Sequence, residues 1–453
     1  MAENGKKDVK RRKSPDADSR LATNADKGRE PRILSARRGA RQYSMAALLE
    51  RIVAEFFDEH GQDSAALKAA DTEAKRLQLV LAVADYVIAV ESIAISSHEK
   101  ADIIRRAYAE LFSYGPLDAL FQDERITTIS LDGADKVSVR YGHGDLTPLA
   151  PIFEDERHLR DIVRRLLLHS GADLRSDLSI IETGLLVGER RVGVSVAMPP
   201  VTVQLAVDIR VHPVRLPTLA EMVESGFLTE QAATLVTAIA QSPHGVIIVG
   251  DTESGKTTLL AVLAALTPPE QQQGMIAIER AGELHLPDAA QRLVVRWPTD
   301  TQSGLSLPDQ VNAALAQNPA CLLLDEVRAD EPQAIAPLLT IANLPRQLWA
   351  FRGPASSKRL VSALGMLARL SDRSAGEAPV LALYRRLPLV ITLQRRQGAI
   401  RHHSIAEWQF PAGAEYPNYV ELMAIEDGAI KLTGQRPAHE LDLPVDFWDT
   451  AKR

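Results

Sequence analysis

GVIIVGDTESGKTTLL, Gly245 to Leu260, decides the reading of this chain. An apolar strand runs into Gly250-x-x-x-x-Gly255-Lys256-Thr257 and on into an apolar helix, which is the phosphate-binding loop pattern in its strand–loop–helix setting. Gly250 and Gly255 allow a tight turn, so that successive N–H groups across Asp251, Thr252, Glu253 and Ser254 point inward at a phosphate. Lys256 supplies a point charge for the β- and γ-phosphates, and Thr257, followed by Thr258, supplies a hydroxyl for Mg²⁺. The helix that follows presents its positive N-terminal end to the same anion.

Around this loop the composition is that of a globular protein, 45% apolar and 25% charged over 453 residues, a length that suggests about two to three domains. The single cysteine, Cys321, excludes an internal disulfide and suits a reducing compartment. Aromatics are few, which argues against a surface built to stack bases. No stretch reaches the ~18–20 uninterrupted apolar residues of a membrane span. Leu77–Val90 comes nearest, but Asp85 interrupts it, and it reads as a buried amphipathic helix. Met1–Lys10 lacks the apolar region of a signal peptide. The net charge is −7, unevenly spread: Met1–Arg41 holds 13 Lys/Arg against 6 Asp/Glu. That basic, aperiodic tail is expected to be disordered, serving either as a solvated leader or as a tether to an acidic partner or lipid.

Helical spacing of apolar residues marks Ser44–His60, Asp71–Ile95 and His98–Phe112. An α+β region follows, with strands expected at Ile126–Leu131, Val137–Tyr141, Ser179–Val187, Arg190–Ala197 and Val203–Val211 and a helix at Asp155–His169. His212–Pro217 reads as a linker. Beyond it strands and helices alternate through Ala320–Leu324, which implies a parallel sheet with helices on both faces.

Two further strands end in carboxylates. Cys321–Leu324 is an apolar run capped by Asp325 and Glu326. In parallel sheets that end of a strand is where ligands bind. There Asp325 can hold Mg²⁺ through water, and Glu326 can orient or deprotonate an attacking water. Ile276–Ile278 ends in Glu279, either a second water-polarising acid or a solvated strand end. Arginines suited to a γ-phosphate include Arg191, Arg210, Arg215, Arg328 and Arg352, and spacing alone does not choose among them.

Taken together these residues resemble the ATPases that power type II and type IV secretion and type IV-like pili, most of all those of tight-adherence (Flp-type) pili. The likeness runs from about Ser113 to about Gln409. It rests on Tyr114-Gly-Pro-Leu117, Asp123-x-x-Ile126-Thr127-x-Ile129, Gly188-x-x-Arg191-Val192, Pro199-Pro200, Ile209-Arg210, Ile278-Glu279, Glu283-Leu284, Glu326-Val327-Arg328, Gln394-Arg395-Arg396-x-Gly398 and Ile405-x-Glu407. The resemblance implies an α/β chain with a RecA-like P-loop NTPase domain over 229–453. A linker at 212–228, an α+β N-terminal domain at 113–211, a helical region at 44–112 and the basic tail at 1–43 would precede it. It implies ATP and Mg²⁺ as ligands, with Arg191 and Arg210 as cross-domain cations. It also implies a cytoplasmic homo-hexameric ring, peripheral at the membrane face, working on inner-membrane platform proteins and not directly on nucleic acid.

The departures are specific. Neither histidine of the family's histidine box is present in Ala342–Pro354, and Arg352 stands where the second would be. Gly184 replaces a family arginine, Arg280 an acidic-box Asp, and Asp325 a glycine. Two readings follow from this pattern: an ATP-hydrolysing motor, and a nucleotide-binding subunit with little hydrolysis that regulates such a machine. A third, a ring that moves nucleic acid, is opposed by the acidic bulk charge and the scarce aromatics.

Overall fold

The computed structural model describes residues 44–61, 64–175, 177–396, 399–426 and 429–452. The basic tail expected at 1–43 lies outside the described residues. The chain divides into two compact units, parted between Asp118 and Ala119.

In the first unit three long helices, Met45–His60, Glu73–Val90 and Ser97–Phe112, form one core. Each begins at a hydroxyl N-cap: Ser44, Thr72 and Ser96 accept from backbone N–H groups of the first turn, and Ser96 forms a full capping box with Glu99. Leu48, Ile52 and Phe56 fall at four-residue spacing and meet Val80, Val83, Ala84, Val87, Ile103 and Ala107. A short helix, Ala65–Ala69, was not foreseen from periodicity; it buries no side chain, so it leaves no apolar pattern to read. The middle helix differs from the buried amphipathic helix expected of it. It is apolar on both faces, and Leu77, Leu81, Tyr86 and Val90 lie exposed.

The second unit opens with an antiparallel sheet. Its strands are β1 (Ile126–Asp132), β2 (Lys136–Tyr141), β3 (Leu146–Leu149), β4 (Ile180–Val187), β5 (Arg190–Ala197) and β6 (Ala206–Val211), in the order β3-β2-β1-β6-β5-β4. Burial alternates along β6, and along β5 apart from Gly193, as one covered face requires.

The larger sheet contains β7 (Val246–Gly250), β8 (Met275–Glu279), β9 (Gln291–Val294), β10 (Cys321–Val327), β11 (Arg346–Arg352) and β12 (Leu389–Arg396). These run parallel in the order β12-β7-β11-β10-β8-β9. An antiparallel extension, β13 (Ala399–Gln409), β14 (Asn418–Glu426) and β15 (Ala429–Leu432), continues beyond β12. The parallel strands are covered on both faces. Val246 and Ile248 of β7 join one core with helices Glu230–Gln241 and Lys256–Leu266. Ile247 and Val249 join the other, with helices Leu307–Leu315, Pro332–Thr340, Ser357–Ser371 and Ala378–Arg386. The two-residue period thus sends successive side chains of one apolar strand into different cores. This is the RecA-like α/β domain expected from the sequence.

Candidate functional site

The loop between β7 and the helix Lys256–Leu266 turns on Gly255, whose φ is +85° and where a Cβ would come within 2.8 Å of the Phe227 ring. Only glycine meets both conditions. Lys256 arches back over the loop and donates from Nζ to the carbonyl of Asp251 at 2.7 Å. Burial lowers its pKa, an effect that Glu326 and Asp325 partly offset. Thr257 Oγ1 donates to Asp325 Oδ1 at 3.3 Å. The loop hydroxyl and the β10 carboxylate therefore meet, as a shared magnesium shell requires.

Asp325 and Glu326 are pushed apart in role by a bulge. The parallel pairing of β10 with β11 slips between Leu324 and Val327, and Glu326 takes a φ of +59°. Such a backbone costs roughly 1–3 kcal/mol in a non-glycine residue and collects at functional sites. Asp325 stays buried, and burial, together with Glu283, Glu279 and Glu326, pushes its carboxyl up to about 8. Glu326 turns outward to border a cavity. Burial raises its pKa, but Arg328, Arg210 and Lys256 overcome this and hold it ionised below the usual range. Arg328 Nη2 reaches Glu326 Oε1 at 2.9 Å, and Arg210 Nη1 lies 3.9 Å from Oε2.

The cavity, about 600 Å³, is bordered by residues 252–258 of the loop and by Glu326 on one side, and by Arg140, Arg210 and His212 on the other. Arg395 of β12 also borders it. The small sheet therefore brings cations to the phosphate loop. Arg210 is held by Glu283 at 3.3 Å. Burial raises Glu283, but Arg210 and His212 bring it down to about 2.

The structure gathers Lys256, Thr257, Thr258, Asp325, Glu326 and Arg210 at one loop. It places three other predicted residues differently. Glu279 is fully buried and paired with Arg292 at 2.7 Å, and it accepts from the Leu284 N–H at 2.8 Å; it does not border the cavity. Burial raises its pKa. The acidic-box carboxylate that reaches Arg210 is Glu283. Arg191 donates to the Gly282 carbonyl at 3.4 Å, also away from the cavity. Arg352 ends β11 beside Gly250 in register, exposed and without an ion pair among the described residues. Arg280, where the family has an acid, pairs with Glu331 at 2.5 Å and donates to the Glu326 carbonyl at 3.2 Å. Arg140 and Arg395 were not singled out as γ-phosphate candidates, because no local pattern marks a cation that only the folding of distant strands delivers.

A parallel sheet with this loop and this strand-end acid pair defines a P-loop nucleotide-binding protein. Residues 181–338 match the family model described as "Type II/IV secretion system protein". The "Putative conjugal transfer protein Rv3659c" of Mycobacterium tuberculosis is 26% identical over 333 residues, 68% of this chain and 92% of that protein. The "Type IV secretion system protein PtlH" of Bordetella pertussis is 32% identical over 94 residues, 20% of this chain and 27% of that protein. Among solved structures, the ATPase DotB of Legionella pneumophila is 17% identical and covers 65% of this chain and 79% of its own, with a TM-score of 0.42. Over 181–338, about a third of its length, the chain is thus similar to type II/IV secretion system proteins. Among the described residues no helix is long and apolar enough to cross a membrane.

Proposed function

We propose that this chain binds ATP with Mg²⁺ at the loop 250–258 and hydrolyses it to drive a type II/IV-type secretion machine or a tight-adherence pilus. It would act as a homo-hexameric ring at the cytoplasmic membrane face, working on inner-membrane platform proteins. The observation that carries this reading is the convergence of Lys256, Thr257, Asp325, Glu326 and Arg210 about one loop. Lys256 and the loop N–H groups bind the β- and γ-phosphates. Thr257 and Asp325 would hold Mg²⁺, which neutralises charge on the transferring phosphoryl group. Glu326, ionised at neutral pH, has the lone pair to take a proton from the attacking water. Arg210 stabilises charge developing on the far side of the cavity.

A second reading, a nucleotide-binding subunit with little turnover, draws on the missing histidines and on an Arg280 committed to Glu331. Mg²⁺-dependent ATP hydrolysis by the purified chain separates the two. The motor reading expects turnover that Lys256→Ala abolishes, while Glu326→Gln keeps ATP binding and loses turnover by about 10²-fold or more. Tight binding with no turnover above the Lys256→Ala background would select the regulatory subunit. Unchanged hydrolysis in Lys256→Ala would remove the site assignment.

A further inference from the structure

The phosphate loop carries a carboxylate, Glu253, that reaches cations bordering the same cavity. Glu253 takes a φ of +58°, a backbone that suits glycine. What the side chain adds is contacts, and they come from three strands. Thr128 Oγ1 of β1 donates to Glu253 Oε1 at 3.0 Å. Arg140 of β2 pairs with Oε2. Arg395 of β12 lies 3.4 Å from the same oxygen. The Arg140 side chain is 11% exposed, and its buried Nε has no hydrogen-bond partner among the described residues, so the guanidinium has a donor to spare. Glu253, Arg140 and Arg395 all border the cavity that Lys256 faces.

One loop carboxylate therefore occupies two arginines that look onto the space a triphosphate would fill. We propose that Glu253 competes with the nucleotide's phosphates for Arg140 and Arg395. It holds the two arginines while nucleotide is out and yields them to phosphate oxygens when a nucleoside triphosphate binds. Glu253 thus sets nucleotide affinity low, and Arg140 and Arg395 form part of the triphosphate site. This rests on the nucleotide reading above. The physical basis is like-charge repulsion in a poorly solvated cleft: a carboxylate fixed in the loop opposes an incoming polyanion and must surrender its counter-charges. A merely structural clip, in which Glu253 holds the loop in its binding shape, has the opposite consequence, because removing it would loosen the loop and weaken binding.

Equilibrium titration of the full chain with a fluorescent ATP analogue and Mg²⁺ tells the two apart. Glu253→Gln keeps the length and removes the charge; Glu253→Gly suits the backbone and serves if the first variant folds poorly, as judged by thermal melting. Each is expected to bind the analogue about tenfold more tightly or better, the scale of one close charge pair. Adding Arg140→Ala or Arg395→Ala to Glu253→Gln should erase that gain, and adenosine, which has no phosphate, should bind as in the parent. Equal or weaker binding in both Glu253 variants, with Lys256→Ala still abolishing binding, overturns the proposal and leaves the nucleotide site standing. A parallel gain for adenosine also overturns it, since charge competition cannot act on a neutral ligand. Undiminished binding by Lys256→Ala overturns the nucleotide reading and this proposal with it.

Discussion

Asp325 shows what the site costs a single residue. Its carboxyl is buried among Glu283, Glu279 and Glu326 and titrates near 8, against about 3.9 for an unfolded aspartate. The fold therefore prefers the protonated acid. Between these two values the folded state binds a proton that the unfolded chain has released, so this group's contribution to stability falls as pH rises through the window. The change is at most about 1.4 kcal/mol per pH unit, and it levels off above pH 8. Asp325→Asn removes the titration and keeps the shape. The variant is expected to melt close to the parent near pH 4 and several degrees above it at pH 8.5, and to lose Mg²⁺-dependent turnover. Melting curves across that range check the first expectation; a constant gap between the two proteins would show that Asp325 ionises in the fold without penalty. In sequence Asp325 and Glu326 were legible as a strand-end pair, whereas Glu279 at the end of β8 could be a second such acid or a solvated strand end. What divides them is tertiary. A bulge turns Glu326 outward, and Arg292 locks Glu279 inside.

At the scale of elements, the antiparallel sheet lies against the turn 280–283 through two glycines. Gly184 of β4 and Gly193 of β5 are cross-strand partners. A Cβ on Gly184 would stand 1.8 Å from the Ala281 carbonyl oxygen, and one on Gly193 would stand 1.7 Å from Glu283 Oε1. Any side chain at position 184 would therefore meet the backbone of Ala281. Around this contact Trp297 Nε1 donates to the Glu182 carbonyl at 2.5 Å, and Arg328 Nη2 reaches the Glu182 carboxylate at 2.7 Å. Gly184→Ala is expected to destabilise by about 1–3 kcal/mol, as overpacking does, and Gly184→Arg by more. Urea unfolding would read this as a lower midpoint at unchanged slope. Turnover should fall as well, because moving the 280–283 turn moves Glu283 and with it Arg210. A Gly184→Arg protein of parental stability and higher turnover would mean that the turn moves aside for a side chain. β7, β8 and the first part of β10 were legible as unbroken apolar runs, and β1, β2, β4, β5 and β6 as short runs set off by turns. β3 escaped because it is a short, largely exposed edge containing Pro148. β11 begins at Arg346, a charge that ordinarily speaks against a buried strand, but its guanidinium is satisfied by the carbonyls of Ile239, Ala240 and His244.

For the whole molecule, the division between Asp118 and Ala119 has a thermodynamic consequence. The three-helix unit has its own core about Leu48, Ile52, Phe56, Val83 and Val87, and every residue of the candidate site lies in the other unit. A cooperative unfolding unit is bounded by its core, so heating should give two transitions in place of one. Nucleotide stabilises only the state that binds it, by about 2.7 kcal/mol at a hundredfold excess over Kd. Calorimetry of the full chain should therefore show two components, of which Mg²⁺ with a non-hydrolysable ATP analogue raises only one. Hydrogen exchange should assign that component to 119–453 and leave the protection of helices Met45–His60, Glu73–Val90 and Ser97–Phe112 unchanged. The separation has meaning for a motor. On the motor reading proposed above, a response confined to the nucleotide-binding unit would place the work between its two sheets, where Arg210 meets Glu283 and Arg140 meets Glu253. A single transition that shifts as one with nucleotide would instead make the helices part of the same cooperative body, and the cycle would have to move them too.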